Sequence, residues 1–174
     1  FVPAVPNLLF PPGDSVHGPG FDPSSNRWPG LSARAEAEFE RQDWKALAVS
    51  CDELEQLDDE YAQVHFWRGL ALLGQDRAWE GAAALVKAVD LDRRGTRSNT
   101  DIGVTIVTAA RAAGAGVLDV ANLFHGNGLL ADEFKRRAAG EDQQLFIDHC
   151  HPTEEGHRRI AAALVPEVMK ALGR

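Results

Sequence analysis

The pattern of apolar and polar residues divides the chain into three parts, and the first of them is rich in turns. Residues 1–30 contain most of the prolines, with Pro-Pro-Gly at 11–13 and Gly-Pro-Gly at 18–20. Because proline removes backbone donors and glycine favours turns, this part is predicted to be a long ordered loop. Only the stretch from Phe1 to Val5 could end a strand.

The second part, residues 31–95, has a helical pattern. Ala, Leu, Glu and Arg dominate it, and it contains no proline. The sequence Trp44-Lys-Ala-Leu-Ala is echoed 35 positions later by Trp79-Glu-Gly-Ala-Ala. This period is typical of tetratricopeptide helical hairpins, and Gly69 and Gly81 fall where such hairpins need small residues. We therefore predict an all-α, tetratricopeptide-like insertion. With fewer than three repeats, it is expected to lean on another domain.

The third part, residues 96–174, alternates between helical and strand-like patterns. Residues 101–113 are predicted to be helical, and the short apolar run Val117-Leu-Asp-Val is predicted to be a buried strand. A short helix is expected at 129–139. The last helix is expected to run from Thr153 or Glu154 to Leu172, with Pro166 as a possible kink. The tryptophans at positions 28, 44, 67 and 79 are interpreted as packing residues.

Charge and composition exclude several classes of function. The formal net charge of −8 disfavours a nucleic acid as the main partner. Cys51 and Cys150 lie far apart and form no Cys-x-x-Cys pair, so they indicate no disulfide framework and no thiolate zinc site. No apolar run approaches the ~20 residues that cross a bilayer. The compartment is left open by the sequence.

The stretch from Phe146 to Ala161, Phe-Ile-Asp-His-Cys-His-Pro-Thr-Glu-Glu-Gly-His-Arg-Arg-Ile-Ala, carries the most specific pattern. It resembles the last block of SGNH/GDSL-type hydrolases, in which an Asp-x-x-His-Pro loop precedes the C-terminal helix. The resemblance implies that Asp148 and His151 are catalytic. The physical chemistry agrees, because a serine hydroxyl needs an imidazole to take its proton and the imidazole needs a carboxylate to orient it.

The order of segments along the chain is also similar to that of some SGNH-like proteins. Val5-Pro6-Asn7-Leu8 and Pro11-Pro12 precede the helical repeats, and a strand ending in Asp119 precedes the Asp-x-x-His block. This resemblance implies a three-layer, flavodoxin-like α/β fold interrupted by the helical insertion. It also places the nucleophile and oxyanion-hole blocks upstream of Phe1. By the same analogy, Asn7 and His17 could lie near the site, although loop stabilisation explains each of them as well.

Other uses of the same residues stay open. Asp148 could simply cap the last helix and His151 could be an ordinary loop residue. A zinc site formed by His149, Cys150, His151 and His157 is disfavoured, because adjacent side chains in a loop seldom converge on one ion. Ser15 in Gly-Asp-Ser would be a nucleophile only on a strand-to-helix turn, and Pro11 and Pro12 prevent such a turn.

The function expected from these patterns is that of a serine ester hydrolase or O-acyl transferase, acting on a small-molecule or carbohydrate ester without a metal or organic cofactor. The chain by itself is expected to be inactive. One alternative is a non-catalytic protein-binding module that uses the helical repeats and retains a relic of the hydrolase site. The other is a complete hydrolase that uses Ser15.

Overall fold

The computed structural model describes residues 1–126, 128–141 and 145–173. Within these ranges the chain is helical and forms no β-sheet, and its single β-bridge joins Phe146 to Pro152. The helices are α1 (Arg27–Glu40), α2 (Trp44–Glu55), α3 (Ala62–Leu73), α4 (Ala78–Leu91), α5 (Thr100–Ala112), α6 (Val120–His125), α7 (Leu129–Ala138) and α8 (Glu154–Ala171). The chain divides into two compact units, which are described separately.

The first unit, here called the hairpin unit, comprises residues 8–95 and contains α1 to α4. Consecutive helices pack on each other, most extensively α3 on α4. Its core is apolar, with the side chains of Leu47, Leu54, Val64 and Leu85 fully buried. This arrangement of two successive helical hairpins is the one that the apolar pattern of residues 31–95 predicts.

Two glycines let α3 and α4 approach closely. A Cβ atom at Gly69 would lie 2.5 Å from Leu85 Cγ, and one at Gly81 would lie 3.0 Å from the carbonyl oxygen of Gly69. Both glycines and Leu85 are buried, so the neighbouring groups have little room to move. Small residues at these positions are therefore required by the contact between the helices.

The proline-rich segment from Leu8 to Asn26 is an ordered loop, as its composition predicts. The Asp92 carboxylate accepts hydrogen bonds of 3.0 Å from the N–H groups of Gly13 and Asp14. His17 lies 2.6 Å from the Asp58 carboxylate and stacks on Phe21 at a ring-centroid distance of 3.6 Å. These contacts give His17 a structural role in the hairpin unit.

The second unit, here called the C-terminal unit, comprises residues 1–7 and 96–174, of which the described residues end at 173. Its core is small and is formed by Val5, Val120, Phe124, Leu145 and Phe146. The rings of Phe124 and Phe146 lie 4.9 Å apart between centroids. The core holds the start of the chain, α6 and the segment before α8 together.

The predicted three-layer α/β fold is wrong, because the described residues form helices and no sheet. The predicted strand at 117–120 shows the physical reason. The Leu118 N–H donates to the Phe1 carbonyl at 3.0 Å, but residues 115–119 are irregular and Val120 already begins α6. Asp119 caps that helix by accepting from the Asn122 N–H at 3.0 Å. The local capping signal therefore starts a helix where the apolar run indicated a strand.

The three helices predicted in this part of the chain are confirmed as α5, α7 and α8. Each of α5 and α8 begins at a side-chain cap. The side-chain Oδ1 of Asn99 accepts from the Ile102 N–H at 2.9 Å, and the Thr153 hydroxyl accepts from the Gly156 N–H at 3.2 Å. Pro166 lies inside α8.

Candidate functional site

The loop from Phe146 to Pro152 is closed at its base by backbone hydrogen bonds. The Ile147 N–H donates to the His151 carbonyl at 2.8 Å, and the Thr153 N–H donates to the Leu145 carbonyl at 3.0 Å. The bridge between Phe146 and Pro152 lies at the same base. The four residues 148–151 therefore occupy one tight turn, in which their side chains can come close together.

The Asp148 carboxylate organises this turn. Its Oδ1 accepts hydrogen bonds from the N–H groups of Cys150 and His151, both at 2.9 Å, and its Oδ2 lies 2.8 Å from His151 Nδ1. The backbone N–H of Cys150, the His151 ring and the His151 N–H together hold the pKa of Asp148 well below its usual range. Asp148 is thus a carboxylate in hydrogen-bond contact with the His151 ring, and the catalytic role inferred for this pair from the sequence stays a prediction.

The His151 ring uses Nδ1 to face Asp148, so Nε2 is the nitrogen left for another partner. The side chain of His151 is 68% exposed, and that of Asp148 is 36% exposed. The pair is therefore open to solvent. Within the described residues it does not lie at the end of a sheet strand, where the predicted hydrolase architecture would place it.

Cys150 is the third side chain of the turn. Its Sγ lies 3.7 Å from His151 Nδ1. Burial, and in addition the nearby Asp148 carboxylate, raise the pKa of the Cys150 thiol. Asp148, Cys150 and His151 each present a ligand-type atom, and the three atoms lie within 4.8 Å of one another. The sequence disfavours a convergence of adjacent side chains in this loop, and the spacing Asp-x-Cys-His alone does not reveal that these three atoms lie close together.

Asn7 holds the turn from the other side and is 3% exposed. Its backbone N–H donates to the His149 carbonyl at 2.9 Å, and its side-chain amide donates to the Asp148 carbonyl at 2.8 Å. Asn7 therefore stabilises the loop through the backbone carbonyls of Asp148 and His149.

The other residues considered from the sequence lie elsewhere. The Ser15 hydroxyl accepts a hydrogen bond from the Gln63 N–H at 3.0 Å within the hairpin unit, whereas the Asp148–His151 pair belongs to the C-terminal unit. His157 lies on α8, where its Nδ1 is 2.9 Å from the Thr153 carbonyl, so it is not part of the turn. Asn127, a polar residue between two glycines that the sequence indicates as part of a turn, lies outside the described residues.

A second surface of interest is formed by α5 and α8, whose apolar side chains remain exposed. Both helices lie wholly within the described ranges; no residue of α5 is buried there, and Gly156 is the only buried residue of α8. Val104 is 60% exposed on α5, and Val165 is 57% and Leu172 64% exposed on and just after α8. Contiguous apolar patches on a protein surface are typical of sites that bind another surface.

Two grooves accompany these helices. A groove of about 440 Å³ lies along α5, between Val104, Val107 and Leu118. A groove of about 470 Å³ lies along α8, between Leu118, Leu164 and Val168. Because Val117 and Leu118 line both grooves, the two form neighbouring parts of one surface of the C-terminal unit.

Two further findings concern the tryptophans and the membrane. Trp28 and Trp67 are buried, but Trp79 is 85% exposed, so the interpretation of all four as packing residues is wrong for Trp79.

Among the helices in the described ranges, none combines the length and the apolar character that a bilayer crossing needs.

Comparison of the chain with protein-family models, with curated proteins and with solved structures finds no match. This result and the absence of a sheet from the described residues overturn the identification of the chain as part of an SGNH/GDSL-type hydrolase. The tight Asp148–His151 pair is present, but it stands in a helical unit without the predicted three-layer frame. The features that bear on function are therefore the turn at residues 148–151 and the exposed apolar surface of α5 and α8.

Proposed function

We propose that this chain is a helical protein-binding module. The observation that carries the proposal is the exposure of apolar side chains on and beside α5 and α8, of which Val104, Val165 and Leu172 are each more than half exposed. Burying such side chains is favourable by about 25 cal/mol per Å² of apolar surface. A stable contact of standard size would cover about 800 Å² on each partner, and two adjoining apolar grooves provide a suitable centre for it.

The hairpin unit offers a second place for a protein partner. Its two stacked hairpins resemble the beginning of a helical repeat array, and such arrays bind partners along their helices. Trp79 and Val49 are exposed on α4 and α2. Aromatic side chains of this kind are enriched in protein interfaces.

The proposal is tested by placing a photo-crosslinking amino acid at Val104 or Val168 and, as a control, at Glu36, an exposed position on α1. After irradiation with a cell extract, crosslinked protein species are expected at the two C-terminal positions and not at Glu36. The double substitution Val104→Glu and Val168→Glu is expected to abolish the complex while retaining the helical circular dichroism spectrum, because both side chains are exposed. Equal crosslinking at all three positions would refute the proposal.

A second candidate is an acid–base function of Asp148 and His151, which stays a prediction. The 2.8 Å contact between Asp148 Oδ2 and His151 Nδ1 supports it, since this contact leaves Nε2 as the nitrogen that could accept a proton. Treating the chain with an activated aryl ester tests this candidate. Turnover that is lost in His151→Ala and retained in His157→Gln would support it. No turnover, or turnover that is unchanged in His151→Ala, would eliminate it.

A further inference from the structure

The turn at residues 148–151 brings together three side chains of the kinds that bind a transition metal. They are a carboxylate, a thiol and an imidazole, contributed by Asp148, Cys150 and His151, and their ligand-type atoms all lie within 4.8 Å of one another. Zinc accepts nitrogen, sulfur and carboxylate oxygen in the same coordination shell. From this arrangement we propose that Asp148, Cys150 and His151 form a zinc-binding site with three protein ligands. The proposal is independent of the protein-binding function.

The distance between the Cys150 thiol and the His151 imidazole is close to that in a tetrahedral zinc site. Zinc bonds of ~2.3 Å to sulfur and ~2.05 Å to nitrogen place the two ligand atoms about 3.6 Å apart at the tetrahedral angle. The observed distance from Cys150 Sγ to His151 Nδ1 is 3.7 Å. An oxygen and a nitrogen ligand would lie about 3.4 Å apart. The 2.8 Å hydrogen bond from Asp148 Oδ2 to His151 Nδ1 would thus open by about 0.6 Å when an ion takes the place of the proton.

The backbone prepares the site for an ion. Asp148 Oδ1 is held by the N–H groups of Cys150 and His151 at 2.9 Å, so Oδ2 is the oxygen that turns toward the ion. Asn7 fixes the backbone carbonyls of Asp148 and His149. Such outer contacts orient metal ligands and reduce the rearrangement that binding requires.

The charge of the ligand set suits a divalent ion. The Asp148 carboxylate contributes one negative charge, and Cys150 contributes another when its thiol loses a proton to the solvent on binding the ion. The imidazole of His151 is a neutral ligand. The site would therefore be neutral overall with Zn²⁺ bound. Because the His151 side chain is 68% exposed, the fourth position is accessible to water.

His157, which the sequence suggested as a fourth ligand, is not part of this site. Its Nδ1 faces the Thr153 carbonyl at 2.9 Å on α8. His157→Gln is therefore a suitable control for His151→Ala. Cys51→Ala is the matching control for Cys150→Ser, since Cys51 is fully buried in the hairpin unit.

The site is tested by titrating the full chain with Co²⁺ and then displacing the cobalt with Zn²⁺. We expect one ion per chain and a near-ultraviolet thiolate-to-cobalt charge-transfer band. This band should disappear in Cys150→Ser. The zinc affinity, measured by competition with a chromophoric chelator, should fall at least about 10-fold in Cys150→Ser, His151→Ala and Asp148→Asn. Even the loss of an outer-shell contact lowers metal affinity about 10–100-fold, and these variants lose a ligand. Cys51→Ala and His157→Gln should retain both properties.

A measurement on the unsubstituted chain guards against variants that fail to fold. Bound zinc should slow the alkylation of Cys150 by iodoacetamide at least about 10-fold, because the metal-bound sulfur is no longer free to attack. The proposal is overturned if Co²⁺ gives no thiolate band, if the band survives in Cys150→Ser, or if saturating zinc leaves the alkylation of Cys150 unchanged. Because zinc would occupy His151 Nδ1, any ester turnover by the Asp148–His151 pair should also cease when zinc is added.

Discussion

Replacing Gly69 by Ala tests whether the close approach of α3 and α4 determines the stability of the hairpin unit. The added Cβ would lie 2.5 Å from Leu85 Cγ and 2.7 Å from Leu85 Cδ2, and Leu85 is fully buried. Overpacking of this kind costs about 1–3 kcal/mol. Alanine also favours a helix interior over glycine by about 1 kcal/mol. We therefore expect a net loss of up to about 2 kcal/mol in the free energy of unfolding, and a loss of about 1–3 kcal/mol relative to a glycine-to-alanine substitution at an uncrowded helix position.

The assay is urea unfolding followed by tryptophan fluorescence, since all four tryptophans lie in the hairpin unit. Gly30→Ala is the matched control, because Gly30 lies on α1 and a Cβ atom added there would have no neighbouring atom within 4 Å. It should be neutral or stabilising by at most about 1 kcal/mol. In a Leu85→Ala background the conflict with the Leu85 side chain is removed and the 3.1 Å approach to the Gly81 carbonyl oxygen remains, so the cost of Gly69→Ala should there become smaller. If Gly69→Ala changes the free energy of unfolding as Gly30→Ala does, the packing argument fails.

Three further predictions concern the C-terminal unit and the cysteines. Burial lowers the pKa of His125 from 6.5 to about 4, so the unfolded state binds the proton more readily than the folded state. The free energy of unfolding is therefore highest above pH 6.5, and it should fall by up to about 3 kcal/mol as the pH is lowered to 4. Amide hydrogen exchange in α6 measures this loss, which His125→Asn should abolish. Phe124→Ala should cost about 3–5 kcal/mol by the same measurement, because the ring is 2% exposed in the core of that unit. In the folded chain, a thiol reagent should modify Cys150 faster than Cys51, which should react only after unfolding, because Cys51 is fully buried and its pKa is raised by that burial.

Each of these has a clear contrary result. An unchanged pH dependence in His125→Asn would show that another group controls acid stability. Normal exchange protection in Phe124→Ala would mean that the small core does not hold α6. Equal reaction rates of Cys51 and Cys150 would contradict the burial of Cys51.

Local signals in the sequence predicted most of the helices and the contact at the candidate site. The starts of α5 and α8 follow from capping by Asn99 and Thr153, which involves residues three positions away. The contact between Asp148 and His151 likewise depends on one turn of backbone, in which a carboxylate accepts N–H groups two and three residues later. Such interactions are encoded within a few neighbouring residues and can be read without knowledge of the fold.

The tertiary structure alone decided the fold class and the exposure of individual side chains. An apolar run such as Val117-Leu-Asp-Val becomes a sheet strand only when other strands pair with it, and here the Asp119 cap begins α6 instead. The exposure of Trp79 and of the apolar faces of α5 and α8 depends in the same way on what packs against each helix. Periodicity predicts which face of a helix is apolar, but only the packing of distant segments determines whether that face is covered.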